Sequence, residues 1–169
     1  MVSGEQDKIF SSKVSYDGIL NFKDFYKFCY QWLSEEAGLG IVEGKYAEKI
    51  SGDAKNIKVE WKGSRKVTDY FKFQVDVKFE VINLTNVEIT QDGKKLKMNK
   101  GSVEVNIKGT LIRDYEGKFE KTSTQKFMRA IYEKWVIYSR IKEYEDKLVG
   151  DCNEFLSQAK AFLDLEGKR

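Results

Sequence analysis

The chain has 169 residues, 41% of them hydrophobic and 34% charged, and its net charge is +3. That balance suits one folded domain with a sizeable core rather than a disordered chain, and the charge excess is too small to imply a dedicated nucleic-acid binder, so nucleic acid is not an expected partner. Histidine and proline are both absent, which excludes His-based acid–base catalysis, Ser-His and Cys-His nucleophile pairs, the commonest zinc ligand sets and polyproline segments.

Residues 8–16, KIFSSKVSY, read as a first strand, and Asp17-Gly18 as a turn. A helix follows over 22–37. Asn21 suits the N-cap, Asp24 the positive end of the helix dipole, and Leu20 and Phe25 a hydrophobic staple. Phe22, Phe25, Cys29, Trp32 and Leu33 fall on one face, and Gly38 ends the helix. From Ile41 to Glu120 the apolar period is two. Val42, Tyr46 and Ile50 are read on one face of a strand, and Ile57, Val59 and Trp61 on one face of the next. YFKFQVDVKFEV, residues 70–81, is the longest alternation. Asp92-Gly93 signals a hairpin and Asn99-Lys100-Gly101 a further turn, before Val103, Val105 and Ile107. Short turns between neighbouring strands predict a mostly antiparallel sheet with one buried face.

From about Thr122 the helical period returns and runs to 166, with Thr122 and Gln125 spaced as a capping box. A continuous helix of that length would be about 60 Å long, more than the ~40 Å of the longest strand. Part of a continuous helix must overhang the sheet, or the helix must fold back with Gly150 as the place for a break; one helix or two consecutive helices fit the period. The fold class expected is therefore α+β. A curved antiparallel sheet of five to seven strands packs on a long C-terminal helix (122–166), with one shorter N-terminal helix, in a single domain over 1–169.

Four motifs carry chemistry on paper. Glu60-x-Lys62 and Asp76-x-Lys78 lie on strands. Metal-dependent nucleases use an acid-x-Lys pair with an upstream acid, here Asp53 or Asp69. A strand alternating apolar residues with Lys and Glu makes the same pattern for free, so a solvated face is the favoured reading. The glycines of GLGIVEG, Gly38 to Gly44, have the wrong spacing and element order for a dinucleotide loop. Asp114 and Glu116 are too few for a cation cage and favour a salt-bridged turn. Lys94, Lys95, Lys97 and Lys100, with a second cluster at Lys55, Lys58, Lys62, Arg65 and Lys66, form a candidate patch for an anionic partner. Edge protection explains such lysines as well. The two thiols, Cys29 and Cys152, sit in apolar helical patterns and are expected to be buried and reduced.

The order strand, short helix, antiparallel meander and long C-terminal helix resembles the helix-grip arrangement of START-like proteins. The resemblance implies an apolar ligand held between sheet and helix, and no catalytic motif. The segments WLSEEAGLGIVEGKYAEKI, VEWKGSRKVTDYFKF, DGKKLKMNKGSVEV and RDYEGKFE resemble those of small uncharacterised archaeal proteins. That resemblance implies a single cytosolic domain and no particular activity.

The function expected is a non-catalytic binding module holding a ligand, an apolar small molecule or lipid, or a partner between the sheet and the C-terminal helix. The lining expected is Trp61, Phe71, Phe73, Val75, Val77, Phe79, Ile131, Trp135 and Tyr138. One alternative is self-assembly through the distal helix, with Phe155, Leu156, Phe162 and Leu163 against a second chain. The other is a metal-dependent nuclease-like enzyme. No cofactor and no metal site are expected. No apolar run approaches ~20 residues, so no membrane span is expected. MVSGEQDKIF lacks a signal-peptide core, so a cytoplasmic location is expected.

Overall fold

The structure is a computed structural model that describes residues 4–119 and 121–167. Among these residues there are five strands, β1 (Glu5–Leu20), β2 (Gly40–Ser51), β3 (Ala54–Lys66), β4 (Phe71–Gln91) and β5 (Lys94–Arg113). They form one antiparallel sheet in the order β1-β5-β4-β3-β2. The helices are α1 (Phe22–Gln31), α2 (Ser123–Ile131) and α3 (Tyr138–Gly167). Single π-helical turns extend the first two, Trp32–Glu36 after α1 and Tyr132–Val136 after α2.

Alternation along β4 makes the core. Phe71, Phe73, Val75, Val77, Phe79 and Val81 are all buried. Register aligns them with apolar partners on both sides: Val59 and Val105 flank Phe79, and Trp61 and Ile107 flank Val77. On the opposite face the polar residues pair across strands, Glu60 with Lys78 at 3.7 Å and Glu80 with Lys58 at 3.9 Å. One face is therefore dry and the other is a lattice of half-exposed charges.

Two helices share the dry face. α3 crosses β1 and β5, while α1 lies over the β3–β4 side. Gly109 of β5 lets α3 come close, because a Cβ there would stand 3.1 Å from Cys152 Sγ and 3.3 Å from Leu148 Cγ. The helices meet through an aromatic seam. Phe28 stacks on Phe162 at 4.9 Å, Phe25 lies 5.8 Å from Phe162, and Trp32 lies 5.8 Å from Phe155. Asn21 caps α1 by accepting from Asp24 N–H at 3.1 Å. Asn99 of β5 accepts from Phe22 N–H at 3.1 Å, which fastens the helix start to the sheet.

Three expectations are corrected. Asn99-Lys100-Gly101 is not a turn; β4 and β5 run through it as a pair of 21 and 20 residues. The irregularity is on β4, as a bulge between Ile82 and Thr85 where Asn83 has φ 54°. Gly101 is needed because a Cβ there would crowd the bulged backbone, 3.1 Å from Ile82 O. The C-terminal helix does not break at Gly150, which lies inside α3 with open space around it. The break is at Ile137 (φ −121°, ψ 10°), where the π-helical turn ends with Ile137 N–H bonded to Tyr132 O. Val42, Tyr46 and Ile50 do not share a face. A bulge between Glu43 and Lys45 leaves Val42 opposite Lys62 on the polar side and puts Tyr46 opposite Val59.

Candidate functional site

The residues expected to line a cavity do not come together around one. Trp61, Phe71, Phe73, Val75, Val77 and Phe79 are buried in the core, packed by Phe25, Tyr26 and Tyr144 among others. Ile131, Trp135 and Tyr138 are exposed on the far side of α2 and its π turn. The reason is the break at Ile137, which swings that segment off the stripe that α3 lays on the sheet. The residues expected to face a second chain are also corrected. Phe155, Leu156 and Leu163 are buried in the chain's own core, and Phe162 stacks between Phe25 and Phe28. The hairpin lysines are all exposed, but strand alternation divides them. Lys95 and Lys97 lie on one face of β5, and Lys94 and Lys100 on the other.

The acid-x-Lys strands project to the charged face, where Glu60 pairs with Lys78 at 3.7 Å and Asp76 accepts from Gln74 Nε2 at 3.4 Å. No group of three or more His, Cys, Asp or Glu that could hold a metal occurs among the described residues. Asp114 makes a buried turn, accepting from Lys118 N–H at 2.9 Å and Phe119 N–H at 3.0 Å, while Glu116 pairs with Lys118 at 3.0 Å. Both thiols are buried, and burial pushes Cys29 well above its ordinary value and Cys152 up to about 12. Neither is a thiolate at neutral pH, and neither is a nucleophile.

A cleft with a predominantly apolar lining lies elsewhere, between α1 and strands β2, β3 and β4. It is an open cleft of about 620 Å3. Phe22 and Tyr26, one helical turn apart, form one wall, and Tyr46, Ile57 and Leu84 form the other. Lys23, Lys27 and Lys55 stand at its rim, with Glu43 and Asn99. The bulge at Gly44 builds this site. Residues 43 and 46 of an unbroken strand would point to opposite faces, and the extra residue turns both toward α1.

A hydrogen-bond relay holds the wall rigid. Trp61 Nε1–H donates to Tyr26 Oη at 3.2 Å, and Tyr26 donates in turn to Glu43. Tyr46 donates to Glu48 at 2.7 Å, and Lys55 pairs with Glu48 at 3.6 Å. Tyr26 is pushed up to about 12 by burial first and by its bond to Glu43 second. Tyr46 rises to about 12 for the same two reasons, with Glu48 as its partner. Both phenols are neutral donors at pH 7, and both carboxylates are occupied by them. What remains to meet a ligand is aromatic surface, aliphatic surface and lysine ammonium groups.

A second cleft, of about 750 Å3, lies at the other end of the sheet and is mostly charged. Arg113 pairs with Glu5 and Asp7, both at 2.8 Å, and with Glu133 of the π turn. Arg129 of α2 pairs with Glu5 at 2.8 Å and approaches Asp114 at 3.5 Å. Tyr70 donates to Glu133, and its phenol is raised by burial first and by that bond second. This network joins the start of β1, the end of β5 and α2.

Sequence reasoning missed the α1 cleft because its outline depends on the β2 bulge. Gly44 in an alternating run was the available signal. No helix among the described residues is long and apolar enough to cross a membrane. Compared with models of known families and with curated proteins, the chain matches none.

Proposed function

We propose that this chain is a non-catalytic binding module whose ligand occupies the cleft between α1 and strands β2–β4. The sheet and α3 form the filled scaffold, not the container. The observation that carries this reading is the pairing of a mostly apolar cleft of about 620 Å3 with three rim lysines. Clefts of ~300–1,000 Å3 with apolar walls and a few placed polar groups suit small molecules. Tyr26 and Tyr46 pack edge to face at 6.5 Å and together offer aromatic surface to an apolar body. Lys23 and Lys27 repeat at one helical turn beside them and suit an anionic group at one end of that body. The substrate class proposed is thus a small amphiphile with an aromatic or aliphatic body and one negative charge.

The test is calorimetric titration with an anilinonaphthalene sulfonate, compared with its uncharged parent amine. The sulfonate is expected to bind more tightly than the parent. Tyr46→Ala is expected to weaken binding ~10-fold or more, the loss of one good aromatic contact with its buried area. Lys23→Gln with Lys27→Gln is expected to remove the preference for the charged probe. Tyr46, Lys23 and Lys27 are all exposed, so the variants keep the fold. Equal affinity of all three proteins for both probes would overturn the assignment.

A further inference from the structure

α2 is built inside out. Its residues toward the sheet include Arg129, 8% exposed, and Glu133 of the following π turn, 9% exposed. Toward solvent stand Phe127, Met128 and Ile131 of α2, Tyr132 and Trp135 of the π turn and Tyr138 at the start of α3, with Phe127 66% and Trp135 74% exposed. These six recur at spacings of three and four and make one ridge. A helix free to turn about its axis would bury that ridge and solvate its charges. The ion pairs prevent this. Arg129 is held by Glu5, and Glu133 by Arg113 and Tyr70, so the rotation of the helix is set with the apolar side outward.

The charges around the ridge decide what covers it. Lys121, Lys126, Lys134 and Lys142 are exposed, Arg140 is paired with Glu143 at 3.2 Å, and Glu133, the one acid within 121–142, is buried. Lys134 reaches over the Trp135 ring at 5.2 Å from its centroid. A second copy docking ridge to ridge would bring the same cations together. A partner must instead be apolar at the centre and negative at the margin. The ridge holds Trp, Tyr and Phe between lysines, the pattern of a helix lying in the headgroup region with its cations reaching to phosphate. We propose that α2 and its π turn dock the protein on an anionic lipid surface, lying in the interface and not crossing it. The site is separate from the α1 cleft. It stands at the Arg113 end of β5, while Asn99 at the other end borders the cleft.

The experiment is co-sedimentation of the full chain with vesicles of phosphatidylcholine alone or with about 30% phosphatidylserine. Binding to the anionic vesicles is expected to be ~10-fold tighter or more, and to weaken when salt is raised to about 0.5 M. Trp61 is buried and Trp32 half-buried, so Trp135 dominates any change and its emission is expected to shift to the blue. Phe127→Gln with Trp135→Gln is expected to lower binding ~10-fold or more at an unchanged unfolding midpoint, since both side chains are exposed. Lys126→Glu with Lys134→Glu is expected to abolish the preference for anionic lipid. Absent binding, equal binding to both vesicles, or binding kept by the Phe127/Trp135 variant would each overturn the proposal. So would a dimer in solution that this variant dissociates, which would make a second copy the occupant.

Discussion

Replacing Phe155 by alanine asks whether the distal half of α3 is this chain's core or a face for another chain. The side chain is fully buried, and its ring lies 5.8 Å from that of Trp32 at a 47° tilt. It closes the angle between α1 and α3, where the neighbours along the helix, Cys152, Leu156 and Ala159, are buried too. Truncating a buried Phe removes its transfer free energy and leaves a cavity, together about 3–5 kcal/mol. For 169 residues the unfolding entropy is about 0.35 kcal/mol per kelvin near the midpoint, so the loss corresponds to a Tm lower by ~8–14 °C. Urea unfolding followed by tryptophan emission and by circular dichroism measures it, with Trp32 reporting directly on the lost contact. Leu165→Ala, at a side chain 67% exposed on the same helix, serves as the control and is expected to change stability by less than ~0.5 kcal/mol. A Phe155→Ala loss below about 1 kcal/mol would refute the packing argument. So would a mutant that keeps its stability but changes its mass in solution.

Gly109→Ala is expected to cost about 1–3 kcal/mol, because the added Cβ meets Cys152 and Leu148 where α3 crosses β5. Gly150→Ala, in the same helix with open space around it, is expected to stabilise by about 0.5–1 kcal/mol; denaturant midpoints of both that move in the same direction would contradict the geometry. Alkaline pH should weaken the packing of the α1 cleft. Tyr26 and Tyr46 hold their protons up to about 12 in the folded protein against 10.0 for a free phenol. Their contribution is complete below pH 10 and is lost as pH rises through about 12, since the unfolded chain releases these protons earlier. Phenolate absorbance together with the urea midpoint across that range checks this. Tyr26→Phe should flatten part of the slope, and a midpoint independent of pH in the wild type would sink the argument.

Much of the scaffold is legible residue by residue. The alternation from Phe71 to Val81 assigns the dry face of β4, because side chains of a strand alternate whatever the partners are. Asn21 and Thr122 cap their helices, accepting from Asp24 and Gln125 N–H groups, because these bonds close over three residues. Asp92-Gly93 closes the β4–β5 hairpin with both residues at positive φ, again a local matter. A buried seam along 148–163 is legible from its period, although it packs on the chain's own β1, β5 and α1.

Both candidate surfaces were beyond that reach. Glu43 and Tyr46 share a cleft because β2 takes a bulge to keep pace with β3, and the choice between bulge and straight strand is made by the pairing. Gly109 and Gly101 look like weak strand residues until a helix and a bulged neighbour are laid against them. The stripe of Phe127, Ile131 and Trp135 looks like core because amphipathic helices nearly always turn such a stripe inward. Here Arg129 meets Glu5, 124 residues earlier in the chain, and Glu133 meets Arg113, so the charged side is held down. The sequence by itself determined which faces are apolar, since that depends on side-chain period alone. Only the tertiary structure decided which apolar face is buried and which is presented, because that depends on charges brought together from distant parts of the chain.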